Sequence, residues 1–106
     1  MTTQYEIKGD TLIIYAPHEI DHHSASVIIE YSDIYIAKNN IKNMTIDFEN
    51  TAFMDSSGIG IVIGRYKIIK RFGGRLTLKN MNKNIERMFE ISGVKKLLED
   101  SCEYGR

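Results

Sequence analysis

A single α/β domain with a mixed, mostly parallel sheet is what this sequence predicts, on three observations. Short apolar runs of strand length alternate with segments whose apolar residues recur at helical spacing. The first two runs are separated only by Gly9-Asp10, a hairpin signal, so the first strand alone is expected antiparallel. The 106 residues suffice for one hydrophobic core but not two, and no linker, repeat or low-complexity stretch divides them.

In chain order, Tyr5-Glu6-Ile7-Lys8 alternates, and Thr11-Leu12-Ile13-Ile14-Tyr15 is an apolar strand closed by the only proline, Pro17. Asp21 is an N-cap for a helix from about His22 to Lys38, with Ala25, Ile28, Tyr31, Ile34 and Tyr35 available for a buried face and Asn39-Asn40 at its end. A strand near 43–48 follows. The next helix, from about Ser57 to Phe72, carries Ile59, Val62, Ile63, Tyr66 and Ile69, and Gly73-Gly74 supplies the left-handed conformation that ends it. Arg75 to Lys79 alternates as a strand. Asn82 caps a short helix bearing Ile85, Met88 and Phe89, Gly93 ends it, and a last strand is expected around Val94 to Leu98. The expected order is β-β-α-β-α-β-α-β.

Composition narrows the function. Hydrophobic residues make up 42% and charged residues 26%, as in ordinary globular proteins. Fourteen basic residues balance fourteen acidic ones, so no net charge draws the chain onto nucleic acid or an anionic membrane. The lone Cys102 rules out an internal disulfide framework and a cysteine metal site. The first residues show neither the basic n-region nor the apolar h-region of a signal peptide, and no apolar run reaches membrane-spanning length, so a cytoplasmic protein without a signal peptide is expected, in keeping with its cysteine usage.

The stretch Phe53-Met54-Asp55-Ser56-Ser57-Gly58-Ile59-Gly60 places two hydroxyls at a strand-to-helix junction. Ser56 or Ser57 is expected at the N-cap, where free N–H groups and the positive end of the helix dipole would also receive a phosphate. A plain cap is the commoner use of such a stretch, and periodicity alone does not identify a phosphosite. A hydrolase nucleophile elbow, G-x-S-x-G, fails because Met54 or Asp55 stands where its first glycine belongs. His22 and His23 are adjacent on a helix and diverge, so no metal site is expected, and Gly58-x-Gly60 lacks the rest of any nucleotide loop. Gly60 and Gly64, one turn apart, read as an allowance for close helix–sheet packing. No cofactor and no catalytic residue is assigned.

The same stretch, continued through Ile61-Val62-Ile63-Gly64-Arg65-Tyr66, resembles the signature of the anti-sigma factor antagonists, in particular the sporulation type, whose domain is the STAS domain. Glu19-Ile20-Asp21-His22-His23, Gly73-Gly74 and Met88-Phe89-Glu90-Ile91-Ser92-Gly93 agree in order and spacing, so the resemblance spans about residues 4 to 98. It implies a fold with helices on one face of the sheet. It implies that Ser56 is phosphorylated by an anti-sigma factor that is itself a serine kinase. The unphosphorylated chain would bind that kinase and release the sigma factor, and a PP2C-type phosphatase would regenerate it. It places Asp21, His22 and His23 on the partner surface, with Asp55, Ser57, Gly58 and Gly60 shaping the helix start. It also implies a further C-terminal helix, which the eight residues after Leu98 are too few to supply, so that helix is expected to be shortened or missing.

Overall fold

The computed structural model describes residues 3–98 and 102–104. Strands β1 (Gln4–Lys8) and β2 (Thr11–Tyr15) form an antiparallel hairpin with Lys8 opposite Thr11. Of its two turn residues only Gly9 has positive φ, +60°, which suits glycine at the first position of a type II′ turn. The chain continues through β3 (Glu19–Ile20), α1 (His22–Lys38), β4 (Asn43–Asp47), β5 (Phe53–Met54), α2 (Ser56–Arg71), β6 (Leu76–Lys79), α3 (Lys83–Ser92), α4 (Val94–Leu98) and β7 (Cys102–Tyr104). The main sheet has the order β1-β2-β4-β6-β7, every pair after the first being parallel.

Alternation decides which face is buried. Leu12 and Ile14, Met44 and Ile46, Leu76 and Leu78 lie in register and are buried, whereas Ile13, Thr45 and Thr77 on the other face stay half-exposed. The helices therefore cover one face only, contributing Ala25 and Ile28, Ile61, Val62 and Ile69, and Ile85 and Phe89 to a single core. Phe89 meets Phe48 edge-on with ring centroids 6.2 Å apart.

Several expectations are corrected. Val94 to Leu98 is a helix, not a strand: Val94 and Leu98, four residues apart, are both buried on one side of it. Gly93, at φ +80°, lets the chain turn between α3 and α4. The final strand comes later, with Leu76 opposite Cys102. The expectation of a shortened or missing C-terminal helix falls on residues 99–106, of which only 102–104 lie within the described residues. On α1, Tyr31 and Ile34 are exposed, and the buried line runs through Ala25, Ile28 and Ser32. On α2 it runs through Gly58, Ile61, Val62, Arg65 and Ile69, with Ile59, Ile63 and Tyr66 only half-buried. Nor do Gly60 and Gly64 mediate close packing, since a β-carbon at either would meet nothing within 4 Å. The tight glycines are Gly58, where a β-carbon would strike the Met54 thioether, and Gly74, where it would overlap the Lys42 carbonyl.

Candidate functional site

Two strands of two residues each build the site. β3 and β5 pair in parallel, Glu19 opposite Phe53 and Ile20 opposite Met54. The Ala52 N–H donates to the His18 carbonyl at 2.8 Å, and the Asp55 N–H to the Ile20 carbonyl at 3.0 Å. The residue after each strand, Asp21 or Asp55, caps the helix that follows. The miniature sheet thus sets the starts of α1 and α2 next to each other.

At α1 the cap is reciprocal. The Asp21 carboxylate accepts from the Ser24 N–H at 2.9 Å, and the Ser24 hydroxyl accepts from the Asp21 N–H at 2.9 Å. The Ser24 N–H, and secondarily its hydroxyl, hold the Asp21 carboxyl below the usual aspartate range. At α2 the cap is Asp55 and not a serine. Its carboxylate accepts from the Ser57 N–H at 2.7 Å, and its carbonyl accepts from the Gly58 N–H at 3.0 Å. An aspartate caps as well as a serine and adds a charge that the helix dipole favours. Ser56 is consequently the first residue inside the helix. It is exposed, and no partner among the described residues holds its hydroxyl.

The remaining site residues are divided by α1. His22 faces a groove between α1 and α2 that also contains Ser57 and Gly60. His23 and Asp21 face a second cleft on the opposite flank of α1, together with Tyr5 and Tyr31. The structure thus separates the adjacent histidines, and no cluster of three histidine, cysteine or acidic side chains able to hold a metal occurs among the described residues. In the second cleft the Tyr5 ring lies 5.1 Å from that of Tyr35. Burial above all, then the neighbouring Tyr35 and Tyr31, pushes the Tyr5 phenol up to about 12, so it stays protonated at any physiological pH. Gly58 is buried and belongs to the support of the helix start, not to its surface.

One surface residue escapes the sequence reading. Phe53 is 66% exposed immediately before the site, its ring edge-on to His18 at 6.2 Å. A strand of two residues is too short for alternation to reveal which side chain points outward. Only the oddity of an aromatic beside the Asp-Ser-Ser-Gly turn marks it.

No described helix is long and apolar enough to cross a membrane. Residues 2–103 match the STAS domain family. The chain is 32% identical over 87 residues to an anti-sigma F factor antagonist of Paenibacillus polymyxa, covering 82% of this chain and 74% of that one. It is 33% identical over 85 residues to an anti-sigma-B factor antagonist of Bacillus subtilis, covering 80% and 76%. The structure of the anti-sigma factor antagonist SpoIIAA in its unphosphorylated form superposes with a TM-score of 0.83 at 28% identity, over 99% of this chain and 89% of that one. The phosphorylated form of SpoIIAA, described as a Bacillus cell fate determinant, gives 0.78 at the same identity, over 99% and 92%. Fold, site geometry and relatives agree, and the chain belongs to the STAS-domain family of anti-sigma factor antagonists.

Proposed function

We propose that this protein regulates sporulation transcription by partner switching and that Ser56 is its phosphoacceptor. Unphosphorylated, the chain binds an anti-sigma factor that is a serine kinase and so frees the sigma factor. The kinase transfers the γ-phosphoryl group of ATP to the Ser56 hydroxyl, and the modified chain lets go. A PP2C-type phosphatase hydrolyses the phosphoserine and restores the hydroxyl. The chain is a substrate of enzymes and not an enzyme itself.

The observation that carries this reading is the free Ser56 hydroxyl. Because Asp55 supplies the cap, Ser56 is exposed at the helix start without a structural duty. Phosphorylation there adds about 1.5 to 2 negative charges near neutral pH, beside Asp55 and the Asp21 helix start. The dipole of α2 favours that charge, so the domain keeps its fold. A partner pressed against the same surface meets a bulky desolvated dianion, and disrupting a buried polar contact in that way costs on the order of 2–5 kcal/mol. At about 1.4 kcal/mol per decade this weakens binding by more than tenfold. Asp21, His22, His23, Asp55, Ser57 and Gly60 are the partner-facing residues in this reading, Phe53 joins them, and Gly58 acts beneath them.

A second reading is a general-stress antagonist of the same family with a different kinase and sigma factor; the relatives, named antagonists of anti-sigma F and of anti-sigma-B factor, support more than one target within the family. Phosphorylation by a sporulation-type kinase, or by a stress-type kinase, discriminates the two. The acceptor itself is tested by intact-mass analysis after incubation with Mg-ATP and the anti-sigma kinase. One phosphoryl adduct on wild type and none on Ser56→Ala is the expected result. An adduct persisting on the variant refutes the assignment.

A further inference from the structure

Arg65 is the one buried cation among the described residues, 4% exposed and four residues beyond Ile61 on the inward side of α2. Its Nη1 donates to the Ser32 hydroxyl at 2.8 Å and to the Asp33 carboxylate at 2.6 Å, both on α1. Ser32 is itself fully buried and donates onward to the Ile29 carbonyl at 3.1 Å. Asp33 and Ile29 belong to the wall of the α1–α2 groove, opposite Ser57 and Gly60.

This is a poor device for stability. The guanidinium is withdrawn from water, only one end of it is paired, and its Nε–H is buried without an acceptor. The Asp33 side chain remains 53% exposed, so solvent screens the pair from one side. An apolar side chain of similar length would fill the same space without desolvating a charge. The geometry instead suits orientation. One buried group fixes a carboxylate and a carbonyl turn of α1 in a defined position relative to α2, the helix that begins at Ser56.

We propose that Arg65 is a positioning residue for the partner surface: it sets the wall of the α1–α2 groove by holding Ser32 and Asp33. The inference rests on the reading that this surface receives the kinase. Through it, the docking of a partner is governed from a residue more than two helical turns away from Ser56 and out of reach of solvent.

The test compares wild type with Arg65→Met, Arg65→Lys and Asp33→Asn. Backbone amide spectra of the free proteins are recorded, followed by Ser56 phosphorylation at graded chain concentrations. We expect the amides of Ile29, Asp33, Ser57 and Gly60 to move in Arg65→Met while those of β4 and β6 stay in place. We expect KM for the kinase to rise about tenfold with kcat within about twofold, because docking and not chemistry is disturbed. Because a single nitrogen, Nη1, makes both bonds, the lysine ammonium should restore KM in part, whereas methionine, which can donate to neither Ser32 nor Asp33, should not. If Arg65→Met does not fold, Asp33→Asn, altered at a half-exposed position, decides by the same readouts. Unmoved groove amides, or an unchanged KM in Asp33→Asn with wild type phosphorylated normally, would overturn the proposal. Wild type inert to every kinase, with groove amides displaced in Arg65→Met, would retire the phosphorylation reading and leave the positioning role supported.

Discussion

The starts of α1 and α2 are built from nearly the same parts and finished differently. Each follows a strand of two residues, each is capped by an aspartate, and each has a serine within its first turn. At α1 the serine is spent on structure: Ser24 closes a capping box with Asp21, and its hydroxyl also reaches the Glu19 carbonyl at 3.2 Å. At α2 the aspartate works alone and Ser56 is left over. A locked helix start thus stands beside an open one. A modification that had to break the first would unfold a turn, whereas a phosphate at the second would cost no hydrogen bond.

The comparison breaks most completely if Ser56 is removed. Ser56→Ala should lose all phosphoacceptance, read by intact mass, yet keep its melting temperature within about 2 °C, as expected of a surface substitution outside any cap. A larger drop would mean that Ser56 carries structure after all. Next in size is Gly60→Ala. The β-carbon meets nothing within the chain and relieves a glycine in mid-helix, so stability should rise by up to about 1 kcal/mol. The same methyl enters the groove, and kinase affinity should fall about tenfold, equivalent to one lost well-packed contact. Stability gained with affinity unchanged would remove the groove from the partner surface.

Ser24→Ala sharpens the contrast from the other side. Losing the capping-box hydroxyl should destabilise the domain by about 0.5–1.5 kcal/mol in denaturant titration. Ser56 is untouched by this change, and Ser24 should take up no phosphate in wild type.

The smallest effect is on pH dependence. The Asp21 carboxyl is depressed in the folded state, so its contribution is complete above the unfolded aspartate value and is lost as pH falls through the lower folded value. Acid titration of stability should therefore be shallower in Ser24→Ala than in wild type, below about pH 4. Identical acid limbs would mean that the Ser24 N–H, which the variant keeps, holds the carboxylate without help from the hydroxyl.

What was legible in the sequence follows from length and pattern. Helices of ten or more residues with aspartate, asparagine or glycine at their ends could be read closely, as at Asp21, Asn82 and Gly93. The antiparallel hairpin and parallel remainder were equally readable. The pairs Glu19–Ile20 and Phe53–Met54 were not, because two residues hold no period, yet they align the site. Val94 to Leu98 reads as a strand in the sequence because five residues fit either period. Arg65 and Ser32 are invisible to apolar periodicity because they are polar, although they occupy core positions of α2 and α1. The sequence offers Ser56 or Ser57 as the cap of α2, but geometry decides among consecutive cap-forming residues, and the cap falls on Asp55, which is what frees Ser56.

In the proposed switch, one phosphate at the open helix start weakens partner binding without unfolding the domain. This switch is tested most directly by measuring the affinity of unmodified and Ser56-phosphorylated chain for the nucleotide-bound anti-sigma kinase, with circular dichroism on both forms. The expected result is a loss of affinity of at least about tenfold with coincident spectra and melting curves. Equal affinities, or a phosphorylated chain that has lost its fold, would contradict it.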